Sequence, residues 1–346
     1  MRFPVFFRSA SILAARYLVA AAVSAVMILQ CHTDAMAALD PSLAREARNI
    51  GTVNSLLIQQ HGEIVVEDYW GRASRNRDTN IKSASKSILS LLVGIAIDKG
   101  YLEGVEQPIG PFFKAYFDEN PDPAKESITI RDLLTMRGGL ETTSFRNYGT
   151  WVTSRNWVRY TLDQPMEGTP GREMIYSTGS SHLLSAIITE ATGMSTKTFA
   201  DRYLFGPLGI VVGGWDRDPQ GIYMGGNNMA LSSRDLLKIG ELMMDMGIHE
   251  GEQLIPKQWI LDSVNIYTKS NFNDNDFGYM WWRRVLAGHH VIFAWGSGGQ
   301  YMMMLPELDA IVVVTSEIDT VQPERGTRRD IFRFLEEDII PMLKTE

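Results

Sequence analysis

Two runs of β-type residues, Ser55 to Gln60 and Glu63 to Trp70, flank His61-Gly62 near the start of the patterned chain. Short extended runs around a Gly-containing break predict a β-hairpin. A polar, Arg-rich stretch follows from Gly71 to Asn80, and then the periodicity changes. From Ser83 to Lys99 the apolar positions, Ile88, Leu89, Leu91, Leu92, Val93 and Ile95 among them, cover every side of a helix, and Gly100 stands where a C-cap belongs. A helix that is apolar all round is a buried one. The stretch from about 105 to 285 reads as mainly helical. Ile130 to Met136, His182 to Thr192 and Ser233 to Met246 are its helix-like runs, punctuated by Gly139, Gly171, Gly193 and the Gly213–Gly226 region. Strand-like runs return at Val291 to Trp295, Tyr301 to Leu305 and Ala310 to Thr315, and an amphipathic stretch from Arg328 to Leu343 predicts a final helix. Strands and helices at both ends therefore enclose a helical middle. This predicts an α/β (α+β) fold in which the terminal segments share an antiparallel sheet flanked by terminal helices, and the middle is an inserted, mostly helical subdomain.

The N-terminus breaks from this pattern. Arg2, Arg8 and Arg16 precede an apolar run from Tyr17 to Leu29, and Ala35-Met36-Ala37 offers a small-x-small site. That order predicts a secretory signal over residues 1–37 and a mature protein, residues 38–346, in the periplasm or medium. Read as a retained membrane anchor, the run is short against the roughly 20 residues a span requires. Read as a lipoprotein signal ending at Cys31, it has an ill-fitting Gln30 before the cysteine. Loss of residues 1–37 takes Arg2, Arg8, Arg16 and Asp34 from the 33 basic and 41 acidic residues, leaving 30 and 40 and a net charge of −10. No basic patch suits nucleic acid. Cys31 is the sole cysteine, so the mature chain has no disulfide, thiolate nucleophile or Cys-ligated metal.

The candidate chemistry is that of serine. Ser83-Ala84-Ser85-Lys86 sets a serine and a lysine three residues apart, on one face of the predicted helix. A lysine in a partly buried site loses its proton more readily and can activate the hydroxyl. A nucleophile at a helix start also has backbone N–H groups aimed at a developing oxyanion. Alone, S-x-x-K is short enough to be an N-cap serine followed by a solvated lysine. Tyr176-Ser177-Thr178 precedes the His182 to Thr192 run, and a tyrosine beside Lys86 could carry the proton to a leaving group; a tyrosine packed at a helix entry is the plainer reading. Trp295-Gly296-Ser297-Gly298-Gly299-Gln300 lies between two strand-like runs. Glycine there lets the backbone approach a ligand and offer a second oxyanion donor, or simply makes a hairpin turn. No G-x-S-x-G, H-E-x-x-H or G-x-x-x-x-G-K-[ST] occurs, and no cofactor or metal is expected.

These elements stand in the order used by the serine β-lactamase (penicillin-recognising) superfamily. The chain resembles its class-C-like branch of carboxylesterases, D-aminopeptidase-like enzymes and 6-aminohexanoate-dimer hydrolases. Ile128 to Met136 before Gly139-Leu140, Tyr176 to Gly193, Asn228 to Gly240, Phe277 to Trp282 and Gly298 to Pro306 resemble further landmarks, so the likeness spans about residues 50 to 340. It implies Ser83 as the acylated nucleophile, Lys86 as base and Tyr176 as proton relay. It implies an oxyanion hole from the N–H groups of Ser83 and Ser297, with Thr178, Trp295 and Gly296 on the substrate side. Two departures stand out. Thr178 replaces the asparagine of the family's Y-x-N, and its K-T-G becomes Ala294-Trp295-Gly296 or, in another register, Ser297-Gly298-Gly299. The first register puts Ser297 at the oxyanion position. Neither keeps the lysine that meets a penicillin's carboxylate, with Arg283 or Arg284 as conceivable stand-ins. The resemblance therefore implies hydrolysis of small esters or amides, with cell-wall D-peptides or β-lactams and a non-catalytic binding protein as the alternatives.

Overall fold

The computed structural model describes residues 41–317 and 324–343. The expected signal, residues 1–37, with Cys31, lies outside the described residues. Helix α1 (Pro41–Asn49) leads into the expected hairpin, β1 (Val53–Gln60) and β2 (Glu63–Tyr69), turned at His61-Gly62 with positive φ at both. The chain then leaves the sheet and returns as β3 (Thr268–Lys269), β4 (Asp276–Phe277), β5 (Trp282–Leu286), β6 (His289–Gly296), β7 (Gln300–Leu305) and β8 (Ala310–Ser316). The spatial order is β2-β1-β8-β7-β6-β5-β4-β3, and every neighbouring pair is antiparallel. The first and last strands thus meet inside one eight-stranded sheet, with Leu56 opposite Val314 and Ile58 opposite Val312.

Strands β7 and β8 are buried at every position, because both faces of the sheet are covered. On one face lies helix α6 (Ser233–Met244), close enough that a Cβ on Gly240 would stand 2.9 Å from Ile311 Cγ2. Its start is fixed by a capping box between Ser232 and Asp235. On the other face lies α7 (Glu324–Phe334), whose Phe332 packs on Phe293 at 5.4 Å and Tyr301 at 5.5 Å. The expected final helix starts four residues before Arg328 and passes through a wider turn at Leu335–Ile339 before Ile340–Leu343.

Between the sheet segments come α2 (Ser85–Asp98), the short helices α3 (Ile130–Leu134) and α4 (Trp157–Asp163), and α5 (Thr178–Thr192). Helix α2 is buried from Ser85 to Ala96, as its all-round apolar pattern requires, and Gly100 follows it at φ 74°. The helical middle ends sooner than the expected 285: Thr268 already belongs to the sheet, and α6 packs on the sheet. Strands β3 and β4 have two residues each, too short to leave a periodic signal. The antiparallel sheet, its terminal helices and the helical part between them otherwise follow the sequence expectation.

Candidate active site

Ser83 sits in a single tight turn, Lys82–Ala84, directly ahead of α2. Lys82 adopts φ 52°, a left-handed conformation that costs a non-glycine residue about 1–2 kcal/mol. Two hydrogen bonds hold it there. Its N–H donates to Asn80 Oδ1 at 2.9 Å, and Ser85 Oγ donates to its carbonyl at 2.8 Å. The kink turns the extended chain at Asn80 into the helix and leaves Ser83 half-buried at the helix mouth.

Lys86 lies one turn on and is 2% exposed. Its Nζ donates to Ser83 Oγ at 3.2 Å, to Thr178 Oγ1 at 3.3 Å and to the Gly226 carbonyl at 2.6 Å. Three acceptors match the three protons of an ammonium group. Burial nevertheless disfavours the charged form and brings the Lys86 pKa down from 10.5 to about 7. Near neutral pH a large share of Lys86 is therefore a free amine within reach of the Ser83 hydroxyl.

Helix α5 supplies the opposite wall. It begins at Thr178, a full turn before the expected His182, although Thr-Gly-Ser-Ser is a poor helix opening. A neighbouring loop caps it from outside: the Thr178 N–H donates to Ser144 Oγ at 2.8 Å and the Gly179 N–H to Thr143 Oγ1 at 2.7 Å. The ring of Tyr176, just upstream, has Lys86 Nζ over it at 5.1 Å from the centroid. The Tyr176 ring also stacks on Trp282 at 6.0 Å and meets Phe145 and Phe272 at 6.0 and 5.6 Å. Phe272 in turn reaches Trp295. Phe145 is 63% exposed. An apolar aromatic wall thus lies open beside the serine.

The end of β6 closes the third side. A Cβ on Gly296 would fall 2.1 Å from the carbonyl oxygen of Ile81, two residues before the serine. Only glycine lets the two backbones touch there. Ser297 follows at once, exposed, at the head of the β6–β7 turn. Neither arginine considered as a substitute for the absent lysine stands in the cleft. Arg283 donates to the Val264 carbonyl at 2.7 Å, and Arg284 lies over the Phe332 ring at 4.4 Å. It is Arg328 of α7 that lies over Trp295, at 5.4 Å.

The structure thus brings Ser83, Lys86, Tyr176 and Thr178 together and sets Gly296, Ser297 and Trp295 along one edge. Sequence reading missed the Gly226 carbonyl, the Ser144 cap, Phe145, Phe272 and Arg328. A backbone carbonyl acceptor has no side-chain signature, and an isolated aromatic in a loop gives no periodicity. Among the described residues, no group of three or more His, Cys, Asp or Glu is arranged to hold a metal ion.

A serine paired with a buried lysine, at the seam between an antiparallel sheet and a helical part, defines a hydrolase of the penicillin-recognising kind. The chain belongs to the Beta-lactamase family, whose profile matches residues 45–335. Among its relatives is the 6-aminohexanoate-dimer hydrolase of Paenarthrobacter ureafaciens, 22% identical over 316 residues that cover 82% of this chain and 77% of the relative. Its fold is shared by the penicillin-binding protein from Bacillus halodurans, at TM-score 0.66 and 15% identity over 84% of this chain and 98% of the other. It is shared too by EstCE1, described as a hydrolase with promiscuous acyltransferase activity, at TM-score 0.65 and 16% identity over 85% and 99%.

Proposed function

We propose that the protein hydrolyses small, linear esters or amides through an acyl-enzyme on Ser83. The observation that carries this reading is the 3.2 Å contact between Ser83 Oγ and the buried Lys86 amine. The neutral amine takes the Oγ proton as oxygen attacks the substrate carbonyl carbon. The N–H groups of Ser83 and Ser297 receive the oxyanion. The bond to the leaving group breaks, and the leaving group takes a proton delivered through Tyr176 from Lys86. Water then attacks the acyl carbon, and Ser83 departs with its proton restored. The contact of Gly296 with Ile81 supports Ala294-Trp295-Gly296 as the K-T-G counterpart, the register in which Ser297 would be the second oxyanion donor.

Ester and amide substrates are favoured over β-lactams by two features. The strand position that holds a lysine in penicillin recognition holds Ala294 here, and the open wall of Phe145, Tyr176 and Phe272 suits an apolar acyl or leaving group. The relative named as a 6-aminohexanoate-dimer hydrolase and the neighbour named as a hydrolase with acyltransferase activity agree with acyl chemistry of this kind. The test is intact-protein mass after reaction with a fluorophosphonate, with peptide mapping. One adduct on Ser83 is expected, none in Ser83→Ala, and p-nitrophenyl esters are expected to turn over much faster than nitrocefin. An adduct on another serine, or full activity in Ser83→Ala, overturns the assignment.

A further inference from the structure

Helix α5 carries, one turn beyond Thr178, a buried histidine, His182, that pairs with Asp218 of a separate loop, and the proposed chemistry uses neither. His182 Nε2 lies 3.2 Å from Asp218 Oδ2, and both side chains are fully enclosed. Trp151 and Trp157 pack edge-on against the imidazole at 5.7 and 5.4 Å. Enclosing a carboxylate this way is unfavourable unless its oxygens are satisfied. They are: Oδ1 accepts the N–H groups of Gln220 and Ile222, both at 2.8 Å, so Asp218 also shapes the loop that leads to Gly225.

The other ring nitrogen defines the direction of the pair. The Gly225 N–H donates to His182 Nδ1 at 3.3 Å. A backbone N–H can only donate, so Nδ1 is bare and the proton sits on Nε2, facing the carboxylate. Two peptide units on, the Gly226 carbonyl is the nearest acceptor of Lys86 Nζ, at 2.6 Å. The loop has no slack there. A Cβ on Gly225 would stand 2.3 Å from the Ser181 carbonyl oxygen, and one on Gly226 would stand 2.3 Å from Ser181 Oγ and 2.8 Å from Lys86 Cγ. Helix α5 therefore grips Lys86 twice: directly through Thr178 Oγ1, and four residues later through His182 and the Gly225-Gly226 backbone.

We propose that Asp218 and His182 are positioning residues of the active site, which hold the Gly225-Gly226 backbone so that the Gly226 carbonyl keeps the Lys86 amine aligned on Ser83. This role rests on the Ser83–Lys86 chemistry proposed for the site. Neither residue touches substrate. Their effect falls on the proton transfer and not on substrate binding. Asp218→Asn is the sharpest variant because its shape is unchanged. The amide N–H₂ facing Nε2 forces the imidazole proton onto Nδ1, which then opposes the Gly225 N–H.

In folded Asp218→Asn, with active sites counted by end-point fluorophosphonate labelling, kcat per site is expected to fall about 10²-fold, the scale set by a misplacement of about 1 Å. KM should stay within about threefold, because ground-state contacts are untouched. Wild-type kcat per labelled site overturns the proposal, as does a loss that lies wholly in KM or wholly in the labelled fraction. A second measurement needs no variant. ¹⁵N-histidine spectra of the wild type, with His182 assigned by its contacts to Trp151 and Trp157, should report the Nε2–H form, and its resonance should move when Ser83 is phosphonylated. An Nδ1–H form, or a resonance that does not respond, overturns the proposal even if Asp218→Asn fails to fold. An adduct away from Ser83 would instead bring down the underlying reading, so the two failures are distinct.

Discussion

At the scale of single residues, Lys86 governs how this protein responds to pH. Its pKa is about 7 when folded, against an ordinary 10.5, and burial is the cause. In the proposed chemistry only the free amine accepts the Ser83 proton, so kcat/KM on an ester should rise through a midpoint near pH 7 and then level. A profile flat from pH 6 to 9 would remove Lys86 as the base. Stability moves in the same window. Between pH 7 and 10.5 Lys86 binds a proton in the unfolded chain that it does not bind in the folded one, so its contribution to stability increases with pH there. Below pH 7 both states are protonated and the full penalty of the buried charge remains. Lys86→Met abolishes this dependence. Urea denaturation should show the wild type gaining more than about 2 kcal/mol relative to Lys86→Met between pH 7 and pH 10. Each step of one in pH across which the two states differ by a full proton is worth about 1.4 kcal/mol. A constant difference across that range would mean that the amine is not desolvated.

At the scale of elements, the site is a junction of three pieces: the turn before α2, the start of α5 and the end of β6. The turn is held by a device within its own segment, and the other two by residues from another part of the chain. Asn80 pins Lys82, Ser144 and Thr143 cap α5, and Gly296 lets β6 press on Ile81. The β6 contact is the tightest, because it joins two backbones with no side chain to yield. Gly296→Ala should push the strand end away from Ser83, lowering kcat/KM by about 10²-fold through misplacement of the Ser297 N–H and destabilising the fold by about 1–3 kcal/mol. Gly298→Ala is the control: a Cβ there meets only the end of Gln300, at 3.9 Å, so its strain at φ 83° should lower stability with little effect on rate per active site. Equal rate effects in the two variants would mean that the Gly296 contact does not align the site.

At the scale of the whole molecule, the sheet joins regions far apart in sequence. Strand β1 lies beside β8, the Gln60 side chain donates to the Leu343 carbonyl at 2.9 Å, and α7 shields Phe293 and Tyr301. A chain stopped after Glu317 would leave that apolar face of β6 and β7 open. It is expected to lose its cooperative thermal transition and its near-ultraviolet dichroism, while a chain beginning at Ala38 keeps both. A cooperative transition in the shortened chain would show that α7 is dispensable to the core. We also propose that the Arg-flanked apolar segment before Ala38 directs export. N-terminal sequencing of the exported protein is expected to begin near Ala38, and a soluble cytoplasmic form starting at Met1 would sink that reading.

Wherever a physical requirement is local and periodic, the sequence by itself determined the outcome. The hairpin at His61-Gly62, the buried helix ending at Gly100, the returning strands and the shared face of Ser83 and Lys86 all follow from spacings of two or of three to four residues. Tyr176 and Gly296 were legible as candidates because motif and order singled them out. Tertiary structure decided the rest. It set the start of α5 at Thr178 against weak propensity, because hydroxyls of Thr143 and Ser144 satisfy its first N–H groups. It left Arg283 and Arg284 outside the cleft and brought Arg328 to Trp295. It gave Lys86 a backbone carbonyl, and it gave that carbonyl a support in His182 and Asp218. Such contacts join residues dozens to hundreds of positions apart, through backbone atoms that every residue possesses. No local pattern encodes them, and only the closed sheet with its inserted helices brings them within bonding distance.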